Sequence, residues 1–135
     1  MTGSRRARRQ GGWTLIELTV VTAMIAILAG IAMTNYLRAV RASQEAVLKE
    51  NLFRMRDAID QYYADKNRYP SALDALVTDG YLRAIPEDPF TRSTTTWVTV
   101  QSELDASNPN AEPGVYDVKS GSELSSIAGT PYAEW

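Results

Sequence analysis

Residues 12–18 read Gly-Trp-Thr-Leu-Ile-Glu-Leu and begin an apolar run that continues to Met33. Glu17 is the only charged residue between positions 13 and 33. A helix needs about 20 apolar residues to cross the ~30 Å hydrocarbon core of a bilayer, so residues 13–33 are long enough to span a membrane. A charge inside such a segment costs about 3 kcal/mol on insertion scales and usually serves a function. The stretch therefore predicts a membrane helix in which Glu17 has a specific role.

Four arginines precede the apolar run within residues 1–12. By the positive-inside rule, this basic segment stays on the cytoplasmic side of the membrane. An ordinary secretory signal has the same order of parts, but its apolar region is about 7–15 residues long and ends at a small-residue cleavage site. Residues 13–33 exceed that length, and the nearest candidate cleavage site is Ala-Gly-Ile-Ala at 29–32. An uncleaved signal anchor is the stronger alternative, although it gives Glu17 no role.

The composition excludes several kinds of catalytic and metal site. The chain of 135 residues has no cysteine and no histidine, so disulfides, thiolate sites and histidine ligands are impossible. Its formal charge is −2, and without residues 1–12 ten basic residues face sixteen acidic ones, which gives −6. This acidic balance argues against nucleic-acid binding. The carboxylate pair Glu87 and Asp88 is interpreted as surface charge, so the sequence indicates no enzyme.

A second helical pattern follows the apolar run. Its apolar residues step by four, three, four and three, as one face of a helix requires: Leu48, Leu52, Met55, Ile59 and Tyr62. The charged residues around them lie mostly off this face and are interpreted as solvated: Arg41, Glu45, Lys49, Arg54, Arg56, Asp57 and Asp60. No proline or glycine lies between Ala32 and Asn67. The sequence therefore predicts one helix from about Thr14 to Asp65.

The remaining residues predict a small head. Asn67 and Pro70 should end the long helix, and Ser71 should cap a short helix that reaches about Val77. We expect the short helix to pack on the long one through its apolar residues, which are Leu73, Leu76 and Val77.

Two segments rich in β-branched and aromatic residues, 94–101 and 114–119, predict an antiparallel hairpin. Simple alternation would place Tyr116 and Val118 on the same face. A third short strand is expected near residues 127–132, with Trp135 tucked against the sheet. The predicted fold class is α+β, with a long N-terminal helix packed on a small antiparallel sheet.

The order of basic leader, Gly12, aromatic Trp13 and the residues Thr-Leu-Ile-Glu-Leu resembles the class III signal of type IV prepilins and pseudopilins. The resemblance implies that a prepilin peptidase cleaves between Gly12 and Trp13 and that the new amino group of Trp13 is N-methylated. It also implies that Glu17 pairs with the Trp13 amine of an adjacent subunit during assembly. Trp13 stands where these proteins usually have phenylalanine, and Thr34 stands where many have a helix-kinking proline. Thr34 keeps its N–H, so we expect a straighter helix there.

A second resemblance lies beyond the long helix. Tyr69-Pro70, the short helix and Ile85-Pro86-Glu87-Asp88-Pro89-Phe90 are similar to the corresponding region of the major pseudopilin of type II secretion. In those proteins an acidic loop after the second strand binds calcium, which needs six to eight oxygen ligands. This chain has Ser-Gly-Ser-Glu at 120–123. Asp117 and Glu123 are therefore only weak calcium candidates, and no cofactor is expected.

The resemblance implies a division into four segments. Residues 1–12 are a cleaved leader, 13–34 a transmembrane and filament-core helix, 35–66 an amphipathic stalk helix, and 67–135 a globular head. The chain would cross the bacterial inner membrane once, with its N-terminus cytoplasmic and its head periplasmic, and later join a periplasmic or extracellular filament.

The implied function is structural: polymerisation into a pseudopilus fibre of a type II secretion system. The implied partners are further copies of the chain, the prepilin peptidase, minor pseudopilins, an assembly platform protein and an ATPase. Two alternatives stay open. One is a type IV pilin that forms a surface filament for adhesion, motility or electron transfer, and the other is a monomeric membrane-anchored binding domain.

Overall fold

The structure is a computed structural model and describes residue 3, residues 11–104, residue 110 and residues 112–135. Its elements, in chain order, are helix α1 (Gly11–Lys66), helix α2 (Leu73–Thr78), strand β1 (Val98–Gln101), strand β2 (Val115–Lys119) and a 3-10 helix (Tyr132–Glu134). This arrangement confirms the predicted α+β class. The predicted leader falls almost entirely outside the described residues.

The chain divides into two compact units, Met1–Val40 and Arg41–Trp135. In the first unit, the described residues from Gly11 onward are helical. Three threonine hydroxyls each donate to a main-chain carbonyl one turn earlier, from Thr19 to Leu15 at 2.8 Å, from Thr22 to Leu18 at 2.7 Å and from Thr34 to Ile31 at 2.9 Å. These bonds satisfy the hydroxyls inside the helix, which suits a segment without access to water. The first unit contributes no buried side chain among those described.

The second unit contains the hydrophobic core, and the predicted stripe of α1 forms one side of it. All five stripe residues are at most 4% exposed, as is Ala58. The other buried apolar residues come from α2, the segment before β1, β2 and the 3-10 helix: Leu73, Leu76, Trp97, Val115, Val118 and Tyr132. The stripe therefore forms the α1 side of the hydrophobic core of a small α+β head, as its spacing predicts.

The end of α1 follows the prediction, but the start of α2 does not. Asn67 adopts the left-handed conformation with φ of 54°, and its N–H donates to the Tyr63 carbonyl at 2.8 Å. The residue that precedes α2 is Ala72, which is extended and makes no side-chain cap, so the predicted Ser71 cap is wrong. Leu73 and Leu76 are buried one turn apart. Their burial, rather than a hydroxyl cap, accounts for where this helix begins.

Strands β1 and β2 form the predicted antiparallel hairpin, with Val98 opposite Lys119 and Thr99 opposite Val118. The register shifts between Val100 and Gln101, where β2 contributes one extra residue. This irregularity breaks simple alternation, because a bulge turns the following side chains to the other face. Val115 and Val118 are therefore both buried while Tyr116 is exposed. The predicted pairing of Tyr116 with Val118 on one face is wrong.

The predicted third strand is also wrong. Near residues 127–132 the chain makes a single bridge between Ser125 and Pro131 and a tight turn, in which Gly129 has φ of 92°. Pro131 has no N–H to donate, so it cannot extend a ladder. Trp135 is half-buried, as expected. Its ring lies edge-on to Tyr132 at a centroid distance of 5.0 Å, with the Lys49 ammonium 4.7 Å from its centroid.

Candidate assembly site

Glu17 lies on α1 four residues after Trp13, a little more than one helical turn. Its side chain is exposed, and it forms no ion pair with any residue in the described part of the chain. The peptide between Gly12 and Trp13, where cleavage is predicted, falls in the first turn of α1. Within one subunit, Glu17 therefore has no oppositely charged partner among the described side chains.

The large apolar side chains around Glu17 are exposed as well. The large apolar residues from Leu15 to Met33 are 46–67% exposed, and they are distributed around the whole helix. The helix is long and apolar enough to cross a membrane, and none of its most apolar part is buried. A helix that is apolar all round must be surrounded by lipid or by other apolar helices. The site is therefore complete only in contact with something outside the single chain.

The described residues of the head contain no group of three or more acidic residues placed to hold a metal ion. The weak calcium candidates do not meet. Asp117 accepts hydrogen bonds through Oδ1 from the Arg56 guanidinium and from the Val118 N–H, both at 2.7 Å. Glu123 is exposed. The Asp117 carboxylate is thus already paired with a protein cation.

Asp88 is the head residue that sequence reasoning missed. It is completely buried, so its interpretation as surface charge is wrong, whereas Glu87 is exposed as expected. Its Oδ1 accepts the N–H of Phe90 at 2.8 Å and that of Thr91 at 3.4 Å, and its Oδ2 accepts the Ser120 hydroxyl at 2.5 Å. An aspartate that accepts the amide two residues later forms an Asx turn. The Asp88-Pro89 dipeptide was the local signal for such a turn.

The interpretation of Arg41 and Glu45 as part of a solvated face is wrong for Glu45, which is half-buried, whereas Arg41 is exposed although it contacts the C-terminal segment. Glu45 Oε1 accepts the Ile127 N–H at 2.7 Å and the Tyr132 hydroxyl at 2.8 Å. The Arg41 guanidinium donates to the Ser125 carbonyl at 2.8 Å. Burial raises the pKa of the Tyr132 hydroxyl above its ordinary value; its hydrogen bond with Arg41 opposes the rise and its bond with Glu45 adds to it. The two charged residues thus hold the C-terminal segment on α1.

Curated relatives support this architecture. The chain is 33% identical over 98 residues to the type II secretion system core protein G of Pectobacterium carotovorum, a match that covers 61% of this chain and 63% of that protein. It is 31% identical over 99 residues to the core protein G of Aeromonas hydrophila and 32% over 99 residues to that of Pseudomonas aeruginosa. Each of these two matches covers 62% of this chain, and they cover 69% and 70% of the relatives.

A type IV pilin is also similar to this chain. The type IV major pilin protein PilA of Myxococcus xanthus is 39% identical over 69 residues, which are 51% of this chain but only 31% of PilA. No model of a protein family matches the chain, and no solved structure is significantly similar to it. The matches to the core proteins G of Aeromonas hydrophila and Pseudomonas aeruginosa exceed both 30% identity and two thirds of the relatives' length. The chain therefore belongs to the family of type II secretion system core protein G.

Proposed function

We propose that this chain is a structural subunit, not an enzyme, that polymerises into the pseudopilus fibre of a type II secretion system. Before assembly, a prepilin peptidase cleaves between Gly12 and Trp13 and the Trp13 amine is methylated. The subunit waits in the inner membrane with its N-terminus cytoplasmic and its head periplasmic. A platform protein and an ATPase then add it to a fibre that also contains minor pseudopilins.

The exposed apolar surface of α1 carries this proposal. Side chains from Leu15 to Met33 that are 46–67% exposed are stable in lipid, and the same side chains can pack against copies of themselves in a fibre. A soluble subunit with a closed core would have no use for such a surface. The basic leader supports the orientation, because arginines close to a span remain in the cytoplasm.

Glu17 supplies the specificity of assembly in this proposal. Cleavage after Gly12 creates a positively charged amine at Trp13. Inside the apolar fibre core, Glu17 forms an ion pair with the Trp13 amine of a neighbouring subunit. Coulomb interactions are strong in such a medium. Removal of one partner from a buried pair costs about 3–5 kcal/mol because the remaining charge is left without compensation. The ion pair therefore stabilises the fibre in one axial register between adjacent subunits, and any other register leaves both charges buried without a partner.

The test compares Glu17→Ala with Glu50→Ala in cells that supply the assembly machinery but lack their own major pseudopilin. Glu50 is a second exposed glutamate of α1 and pairs only with Arg54 among the described residues. Both variants should enter the membrane and lose the leader, which cell fractionation and intact mass measure. Glu17→Ala should give at least about tenfold less sheared or cross-linked fibre, since one tenfold step needs only ~1.4 kcal/mol. Fibre yield equal to that of Glu50→Ala would contradict the proposal.

The similarity to PilA favours one second candidate, a type IV pilin that forms a surface filament. The two candidates differ in what the fibre does. A pseudopilin should restore export of a secreted enzyme in a host deleted for its major pseudopilin, without long surface fibres at native expression. A pilin should restore surface filaments and leave export unchanged. A chain that enters the membrane, is cleaved and stays monomeric in both hosts would instead be an anchored binding domain.

A further inference from the structure

We propose that the segment Ser120–Trp135 is fastened to the head by Arg41, Glu45 and Arg56, and that this chain folds without the calcium ion that its resemblance to major pseudopilins implies. The contacts of this segment lie within a single subunit and therefore do not depend on whether the chain polymerises.

The residues present do not fit calcium. Calcium takes six to eight oxygen ligands, several of them anionic. Among the acidic side chains in and beside this segment, Asp117 is already paired with Arg56, and Glu123 and Glu134 are exposed. The buried Asp88 already accepts two main-chain amides and the Ser120 hydroxyl. No buried side-chain polar atom of the described residues lacks a hydrogen-bond partner. The described part of the segment thus contains no cluster of unpaired side-chain oxygen atoms that could bind a cation.

Hydroxyl groups close the segment on itself. The Ser122 N–H donates to Ser120 Oγ at 3.1 Å, and the Leu124 N–H donates to Ser122 Oγ at 3.2 Å. Ser126 and Thr130 then close the turn, with their hydroxyl oxygens 2.8 Å apart and the Ser126 N–H on the Thr130 carbonyl at 2.7 Å. Short side chains that bond to nearby backbone in this way stabilise turns without a metal.

Two guanidinium groups donate to carbonyl oxygens of β2 and of the segment. Arg56 donates to the main-chain oxygens of Val118 at 3.0 Å and Trp135 at 2.6 Å, besides its bond to Asp117. Arg41 donates to the Ser125 carbonyl. A bound cation would cross-link oxygens in the same manner. The guanidinium fork does so with fixed geometry and permanent charge.

Glu45 supplies the complementary contact. It receives one main-chain N–H and the Tyr132 hydroxyl, and Tyr132 is itself completely buried and stacked on Phe90 at a centroid distance of 4.0 Å. Gly121 tightens the arrangement, because a Cβ at this position would lie 2.0 Å from the Thr96 carbonyl oxygen. The segment is therefore held at its start by close backbone packing and at its end by charged residues of α1.

The test uses the full chain in detergent and two matched pairs of variants. Glu45→Ala is compared with Glu50→Ala, and Arg56→Ala with Arg54→Ala, because Glu50 and Arg54 are exposed and pair with each other. We expect Glu45→Ala and Arg56→Ala to lower the melting temperature by at least about 5 °C, and the two controls to change it little. We expect hydrogen exchange to lose protection at the Ile127 amide in Glu45→Ala while Leu76 in α2 keeps it.

The metal is tested on the unmodified chain, by melting in EDTA and again in millimolar calcium chloride. A ligand that binds the native state raises its melting temperature, so equal melting in both solutions is the expected result. A calcium-dependent rise would overturn the inference. Glu45→Ala and Arg56→Ala variants that melt like their controls would also overturn it. Should Glu45→Ala fail to fold, Tyr132→Phe removes one of the two donors to Glu45, and an unchanged melting temperature for that variant overturns it equally.

Discussion

At the scale of single residues, Glu87 and Asp88 are adjacent carboxylates in opposite environments. The Glu87 side chain is exposed, and its main-chain oxygen accepts a hydrogen bond from the Asn51 side-chain amide at 3.0 Å. The Asp88 carboxylate is buried and accepts two main-chain amides and the Ser120 hydroxyl. It joins the loop before β1 to the segment after β2. Its charge is stabilised by the three donors that it collects.

Asp88→Ala should therefore destabilise the head far more than Glu87→Ala. The first substitution leaves a buried hydroxyl and two amides without their acceptor, which should lower the free energy of unfolding by about 3 kcal/mol. The second changes only an exposed side chain and should stay within about 0.5 kcal/mol. Urea denaturation of the two variants, followed by tryptophan fluorescence, measures both. Equal midpoints would show that the Asp88 bonds contribute nothing net to stability.

At the scale of elements, the apolar residues of α1 are in different environments in the two parts of the helix. Before Val40 its large apolar residues are exposed, whereas between Leu48 and Tyr62 one face is buried in the head. The same helix therefore exposes its apolar side chains in the first unit and contributes one face to the hydrophobic core in the second. The neighbours Leu52 and Phe53 mark the edge of that buried face, because Leu52 is 2% exposed and Phe53 is 67% exposed.

We expect Leu52→Ala to cost about 2–5 kcal/mol of unfolding free energy, since it removes buried methyl groups and leaves a cavity. Phe53→Ala loses a larger side chain from the same helix but should cost less than about 0.5 kcal/mol, because that side chain is already in solvent. Thermal melting of the two variants in the same detergent makes the comparison. A larger loss for Phe53→Ala would mean that this ring is covered in solution.

At the scale of the whole molecule, the two units meet different demands. The head closes its own core, and every buried polar side-chain atom among the described residues has a partner. The first unit leaves its apolar surface open, and Glu17 lacks an ion-pair partner among the described residues. One subunit thus contains a folded domain with a closed core and an apolar helix surface that is still exposed. The proposed function, in which the subunit is first held in a membrane and then assembled into a fibre, would require that combination.

Maturation predicts a change that is measurable on the intact chain. Expressed with a prepilin peptidase, the protein should lose residues 1–12, which changes its formal charge from −2 to −6 because four basic residues leave. Gly12→Val should block this step, as the resemblance to prepilins places Gly12 at the cleaved bond, whereas Gly11→Val should still be cleaved. Intact mass and isoelectric focusing report the outcome. Cleavage of Gly12→Val at the wild-type rate would place the processing site elsewhere.

The sequence alone was sufficient for features that depend on local order. The apolar run, the step of four and three from Leu48 to Tyr62, and the end of α1 at Asn67 each depend on neighbouring residues, and the structure confirms the stripe and the helix end. Periodicity and backbone preference act over a few residues, so they can be inferred from order alone. The hairpin was also predictable, because its two strands have a suitable composition.

Tertiary structure alone decided which charged residues are structural. Glu45 contacts Ile127 across 82 positions and Tyr132 across 87, so no local pattern distinguishes it from a solvated neighbour such as Glu50. The Asp88-Pro89 dipeptide indicates a turn, but it does not indicate the contact of Asp88 with Ser120, 32 positions away. The bulge opposite Gln101 likewise reversed the expected faces of β2. Sequence determined where the chain is apolar and helical, since those properties are local. Only the folded chain determined which polar groups face each other, because that depends on distance in space.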